Sequence, residues 1–392
     1  MQRSYKHISS GKHARFHDSS QDNVYSSLNT KIQKMRILWF NWRDMKHPEA
    51  GGAEVFTHEV MIRLAKMGHD MTLFCPSFPN CLMKEKIDGV KIIRSGGKYT
   101  VYNKAKKFYK TNKNDYDIVI DEINARAFLS PDIVKGKPIL PLFLQLIHEE
   151  WFYETPFPLN YLCYYYLERK WLSPYKDTTT VTISDSSKQD LKDHGFKDVW
   201  VVPMGISIKP LEKIEEKAAE PTIGFVGRFK KHKLPDHALR AFLLIKEKLP
   251  NAKMWFIGDG TMRKELEKIN VKDVVFYGHV NNQVKYDLLR KVHIVLMPSV
   301  REGWGLVVTE SNAMGTPVIA YNAPGLRDSI IDGKTGILVK DNSPQSLARA
   351  AITLLTDQNL LKKYSAEALA FSKQFHWDNT AAAFDKIMRD IA

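Results

Sequence analysis

From Met35 onward, short apolar runs alternate with amphipathic stretches. "MRILWF" reads as a buried strand, "NWRDMKHPEAGG" as a loop and "AEVFTHEVMIRLAKMG" as a helix, with Phe56, Val60, Leu64 and Met67 on one face. "HDMTLFCP" then returns to strand. This order predicts a parallel sheet with crossover helices, and "VKIIRS", "YDIVI", "PILPLFLQLI", "TVTIS" and "VWVVP" supply further strands.

After Pro203 the pattern breaks. "ISIKPLEKIEEKAAEPT" is polar, charged and bounded by proline, the signature of a linker. A second alternating series follows: strands "TIGFVG", "KMWFIG", "VVFYG", "HIVLMPS", "PVIAY" and "GILV", separated by helices such as "DHALRAFLLIKEKL" and "NQVKYDLLRK". The closing "FHWDNTAAAFDKIMRDI" reads as one more helix. The expected organisation is a disordered tail over residues 1–31, domains over 32–206 and 207–375, and a helix over 376–392 packing back on the first domain.

A length of 392 residues agrees, because a single core rarely keeps growing beyond about 250–300 residues. The net charge of +14 adds a positive field suited to nucleic acid, anionic lipid or phosphorylated small molecules. Cys75, Cys81 and Cys163 form no CxxC pair, so neither a disulfide framework nor a zinc site is suggested, and a reducing compartment fits. No apolar run reaches the roughly 18–20 residues that span a bilayer. The Ser- and His-rich first 31 residues lack the apolar core of a secretory signal.

The unusual residues fall where strands hand over to helices, which is where open α/β sheets bind ligands. In "EAGGAE", Gly51 and Gly52 would let an anionic group approach the backbone closely, or would serve only the geometry of a turn. "VGRFKKHK" places Arg228 and Lys233 on a loop before a helix, a fork and a point charge that suit a diphosphate, although basic loops are often merely solvated. In "REGWGLVVTE", Gly303 and Gly305 permit a sharp turn, and the amides near Gly305 and Leu306 become unpaired donors at a helix start. Glu302 and Glu310 flank that turn. Carboxylates in such places grip sugar hydroxyls, or act as a helix-start charge and a surface residue. "FIGDGTM" lacks the third glycine of a dinucleotide fingerprint, having Arg263 there, and no GxxxxGK[ST] occurs.

Taken in order, "HPEAGGAE", "LIHEEW", "TISDSSKQDL", "VPMGI", "VGRFKKHK", "FIGDG", "EGWGLVVTE", "GTPVIA", "GLRDSI" and "GKTGILV" resemble the retaining, nucleotide-sugar-dependent glycosyltransferases of family four, also called glycosyl transferases group 1. The resemblance runs over about residues 36 to 390. It implies the α/β GT-B fold: two Rossmann-like domains facing each other across a cleft, an acceptor domain first and a nucleotide-sugar donor domain second. It implies a transferase of hexosyltransferase type.

Carried over residue by residue, the resemblance gives Arg228, Lys233 and the amides near Gly305 and Leu306 to the donor diphosphate, with Gly51 and Gly52 closing over it. Gly303 and Trp304 belong to the same donor-binding turn. Glu310 would hold the ribose and Glu302 the transferred sugar. His148, on its own residues a core or surface histidine, would contact that sugar from the opposing domain, which makes His148 and Glu302 the catalytic pair. No cofactor or metal is expected, the nucleotide sugar being a co-substrate. Leu234 stands where the family commonly has glycine, Trp304 where Phe is more usual and Ser207 where Asp often follows "GI".

For the acceptor, "KYTVYNKAKKFYKTNK" (98–113) interleaves lysines with Tyr99, Tyr102, Phe108 and Tyr109. Lys104, Lys106, Lys107 and Lys110 would meet an anionic membrane surface at about 1 kcal/mol each, or form a solvated helix face. "WFYETPFPLNYLCYYYLERKW" forms an acceptor channel or packs in the core. The expected partners are a nucleotide sugar, a lipid-linked or phospholipid acceptor and a membrane's cytoplasmic face, with no nucleic acid. The competing readings are a nucleotide-sugar epimerase and a non-catalytic basic protein that binds nucleic acid.

Overall fold

The computed structural model describes residues 34–392, so the 1–31 tail lies outside the described residues. The first sheet contains β1 (Arg36–Phe40), β2 (Asp70–Cys75), β3 (Lys84–Ile87), β4 (Val90–Arg94), β5 (Ile118–Glu122), β6 (Ile139–Phe143), β7 (Thr180–Thr182) and β8 (Val199–Val201). The second contains β9 (Thr222–Val226), β10 (Lys253–Ile257), β11 (Val274–Gly278), β12 (Ile294–Met297), β13 (Val318–Tyr321) and β14 (Gly336–Val339). Their orders are β3-β4-β2-β1-β5-β6-β7-β8 and β11-β10-β9-β12-β13-β14.

All pairings but one are parallel. Strands covered on both faces need continuous apolar runs, which is why "RILWF" and "TIGFV" were readable as strands. The exception, β3, is the charged "KEKI" paired antiparallel to β4 at the sheet edge. Lysines at an edge discourage another chain from adding to it.

Strand order reverses between β1 and β5 in one sheet and between β9 and β12 in the other. Loops after those strands therefore diverge and leave a crevice. The carboxyl ends of the two sheets meet: Arg301 Nε donates to Glu149 Oε2 at 3.0 Å, His232 Nδ1 lies 2.7 Å from Glu154 Oε1 and the Ser186 N–H donates to Asp328 Oδ1 at 3.1 Å.

One apolar cluster runs from Ile37, Phe56 and Leu64 through Trp304 and Val308 to Phe384. The helix Trp377–Ile391 closes it from the first-sheet side. Trp39 and Phe384 stack with ring centroids 5.3 Å apart, and Arg63 Nε donates to Asp378 Oδ1 at 2.6 Å. Ser207 joins the same seam, donating to Glu59 Oε1 at 2.9 Å and accepting from Trp377 Nε1 at 3.0 Å. No helix among the described residues is long and apolar enough to cross a membrane.

Candidate functional site

The second sheet builds one wall. The loop after β9 carries an exposed Arg228 and a partly buried Lys233, and the loop after β12 carries Glu302. Lys233 Nζ donates to both Glu302 carboxylate oxygens, at 2.6 and 2.5 Å. Burial pushes the Glu302 pKa up, but the Lys233 charge together with hydrogen bonds from Lys233 and Ser299 outweighs it and holds the carboxyl below the usual range. Behind Glu302, its N–H donates to Pro324 O at 3.0 Å.

The turn then enters the helix Leu306–Ala313 through Gly305 at φ 81°, a left-handed conformation that favours glycine. An added Cβ on Gly303 would lie 2.7 Å from the Leu144 carbonyl oxygen at the end of β6, so this turn presses against the first sheet's loops. One turn into the helix, the buried Glu310 accepts from Lys285 Nζ at 2.7 and 2.8 Å and from the Tyr286 hydroxyl at 3.2 Å. Each acid of the motif thus carries its own lysine.

The first sheet builds the other wall. An added Cβ on Gly51 would sit 3.9 Å from Arg228 Cζ, and nothing lies within 4 Å of one on Gly52. Neither glycine has positive φ, so the turn's geometry alone does not call for glycine at either position. The Gly51 N–H donates to Glu54 Oε2 at 2.7 Å, which fixes the start of the helix Gly52–Lys66.

His148 follows β6 with φ 45°, an uncommon conformation for a non-glycine residue. Its N–H donates to Glu168 Oε2 at 3.1 Å, while its Nε2 is buried without a hydrogen-bond partner. Burial first, and the Arg301 charge second, lower its pKa to about 4. The imidazole is neutral at pH 7. The next acid but one, Glu150, is pushed up to about 7 by burial and feels the charges of Lys233 and Glu302.

The structure therefore gathers Gly51, Arg228, Lys233, Glu302, Gly303 and Gly305, and sets Leu306 and Glu310 on the helix behind. It does not bring Trp304 there: the indole is buried in the core against Phe375, with ring centroids 5.6 Å apart. Lys104, Lys106, Lys107 and Lys110 sit on the exposed face of the helix Val101–Asn112, while Tyr102, Phe108 and Tyr109 turn into the core. The helical period separates the two sets, so no mixed aromatic and basic surface forms there apart from Tyr99.

Sequence reading missed Lys285 and Arg301, the counter-ions of Glu310 and of Glu149 with Asp190. Arg301 directly precedes Glu302 and was within reach; Lys285 lies on a helix whose spacing to Glu310 carries no motif. Leu234 adopts φ 49°, a geometry that explains glycine's fitness at this position.

A depressed histidine pKa has a direct consequence for stability. Between pH 6.5 and 4 the unfolded chain protonates His148 and the native chain does not, so this group's contribution is full above about 6.5 and falls as pH drops towards 4. In urea titrations, His148→Asn is expected to show a shallower rise in stability from pH 4 to 6.5 than the wild type. Equal slopes would mean that the imidazole titrates normally.

Two Rossmann-like parallel sheets with their carboxyl ends opposed, and acids paired with cations at the switch-point loops, are the architecture of the GT-B type. The chain belongs to that group: "Glycosyltransferase Family 4" matches residues 50–209 and "Glycosyl transferases group 1" residues 209–370. It is 33% identical over 173 residues to D-inositol 3-phosphate glycosyltransferase of Streptomyces scabiei, covering 41% of this chain and 39% of that protein. The chain thus spans less than half the length of this curated relative. Its fold is similar to sucrose-phosphate synthase from Thermosynechococcus elongatus, with TM-score 0.75 and 18% identity over 91% of this chain and 98% of that one. It is also similar to Anabaena HepE in complex with UDP and glucose, with TM-score 0.69 and 16% identity over 91% and 100% of the two chains.

Proposed function

We propose that the protein transfers a sugar, with retention of configuration, from a nucleoside-diphosphate sugar to a lipid-linked acceptor at the cytoplasmic face of a membrane. The carrying observation is that the loop after β9 sets Arg228 against Gly51 of the first sheet's wall and Lys233 on Glu302. Those groups offer a diphosphate two cations and an open backbone, and offer a sugar a carboxylate.

In this reading Arg228, Lys233 and the amides near Gly305 and Leu306 hold the diphosphate. Breaking the glycosyl–phosphate bond moves negative charge onto that group, and fixed cations and helix-start amides stabilise it where it develops. Leaving-group stabilisation by these residues is the proposed route, without a metal. Lys233 Nζ donates to Glu302; a bound donor would give Lys233 a phosphate partner and free Glu302 for sugar hydroxyls. His148, neutral and with Nε2 unpartnered, meets the sugar from the first sheet. Glu310 takes the ribose hydroxyls and Lys285 holds its carboxylate in place.

Two experiments test the donor assignments. Glu310→Ala is expected to weaken nucleotide affinity about tenfold or more, the loss of charge-assisted hydrogen bonds worth about 1.5–3 kcal/mol. Unchanged affinity by titration calorimetry would remove Glu310 from the ribose. A Cβ on Gly52 has no protein atom within 4 Å, so Gly52→Ala should leave thermal stability unchanged while raising the donor KM. A normal KM in that variant would remove Gly52 from the donor site.

A further inference from the structure

Between His148 and β7 the chain makes an excursion over residues 151–175. Eight of the eighteen exposed large apolar side chains among the described residues fall within 152–166. Scattered exposed apolar groups are ordinary, whereas a contiguous set marks an interaction surface. This set is contiguous: Phe152 meets Tyr161 at 5.2 Å between ring centroids, Phe157 meets Tyr161 at 5.9 Å and Tyr161 stacks on Tyr165 at 6.1 Å.

The excursion's helical turns are amphipathic in the inverted sense. Their buried face includes Asn160 and Glu168, while Tyr161, Leu162, Tyr165 and Tyr166 face outward. Phe157, at 78% exposure, is the most exposed of them. The adjoining exposed charges are Arg169 and Lys170, with Lys170 Nζ 5.8 Å from the Tyr166 ring. Glu154, the acid of this surface, is occupied by His232.

We propose that this excursion is the surface by which the protein docks on an anionic lipid bilayer, with Phe157, Leu162 and the tyrosine rings entering the headgroup boundary and Arg169 and Lys170 meeting lipid phosphates. Leucine and phenylalanine offer nothing to a sugar hydroxyl, and tyrosine with basic residues suits the membrane–water interface. The net charge of +14 adds attraction to anionic lipid. The surface also leads to the site. Tyr165 meets Tyr164 at 4.7 Å and Tyr164 meets His148 at 6.2 Å, so a headgroup held at Tyr165 lies two rings from the imidazole. The proposal rests on the lipid-linked acceptor reading for its purpose, but vesicle binding itself does not depend on catalysis.

Co-sedimentation of the full chain with phosphatidylcholine vesicles, with and without phosphatidylglycerol, tests it. The wild type should partition to the anionic vesicles. Phe157→Ser/Leu162→Ser/Tyr165→Ser should lose about tenfold or more of that partitioning, while its nucleotide-induced thermal shift and nucleotide-sugar hydrolysis stay at wild-type values. Arg169→Glu/Lys170→Glu should lose the preference for phosphatidylglycerol. Failure of the wild type to bind either vesicle, or wild-type binding by the triple variant, overturns the proposal. So does a larger loss from Lys104→Glu/Lys107→Glu than from the triple variant. Retained vesicle binding with lost transfer to a soluble saccharide would make the patch a sugar platform and overturn it too. Vesicle binding that depends on the patch, in a protein that binds no nucleotide sugar, supports this surface and sinks the transferase reading alone.

Discussion

Lys233→Ala is expected to lower kcat for sugar transfer by about 100- to 1,000-fold, the usual cost of removing one fixed group aimed at developing charge. The same change strands Glu302. Its buried carboxylate accepts two hydrogen bonds from Lys233 Nζ, its charged partner, and removing one partner of a buried pair costs about 3–5 kcal/mol of stability. The two effects separate in a double variant. Lys233→Ala/Glu302→Ala should regain most of the lost stability in urea titrations, because no charge is left unpaired, yet regain none of the rate. Recovery of the rate would show that Lys233 serves only to neutralise Glu302.

The second large effect concerns a residue that touches no donor group. Gly325 has φ 79°, and an added Cβ would lie 2.1 Å from the Glu302 carbonyl oxygen, well inside contact distance. Its N–H donates to Asp328 Oδ2 at 2.9 Å, and Asp328 also accepts from the Ser186 N–H across the two sheets. Gly325→Ala must therefore push the Glu302 backbone or break this brace. Displacing a positioned group by about 1 Å can cost about 100-fold in rate, and overpacking typically costs about 1–3 kcal/mol. The expected result is a kcat/KM down by about that factor, with a lower melting temperature. A variant with wild-type kcat/KM would show that the loop at 324–328 yields freely and that Glu302 needs no such support.

Much of this arrangement was legible before the structure because parallel sheets write themselves plainly. Strands such as β1, β9 and β12 are apolar at nearly every position, and amphipathic helices separate them. The charged edge strand β3 escaped, since "KEKI" has no continuous apolar run. The site followed the same logic. Residues on loops after strands, such as Arg228, Lys233 and Glu302, stood out by type and place. Lys285 did not, because its meeting with Glu310 depends on how two helices pack.

Aromatic residues misled in both directions, for one physical reason. In 98–113 every ring but Tyr99 lies on the inward face of a helix whose lysines point out, so lysine and ring adjacent in sequence diverge in space. In 152–166 Asn160 and Cys163 take inward positions, and Phe152, Tyr153, Phe157, Tyr161, Tyr165 and Tyr166 are left on the surface. Trp304 likewise sits between two donor-turn glycines but spends its ring on the core against Phe375.

The central claim is that cations from the second sheet and the glycine turn of the first hold a nucleotide's diphosphate between them. Thermal unfolding with UDP, GDP and ADP, on the wild type and on Arg228→Ala/Lys233→Ala, tests it most directly. At about 100 times its dissociation constant, one diphosphate should stabilise the wild type by about 2.7 kcal/mol and leave the double variant unmoved. An equal shift in both proteins, or no shift with any of the three in the wild type, would contradict it.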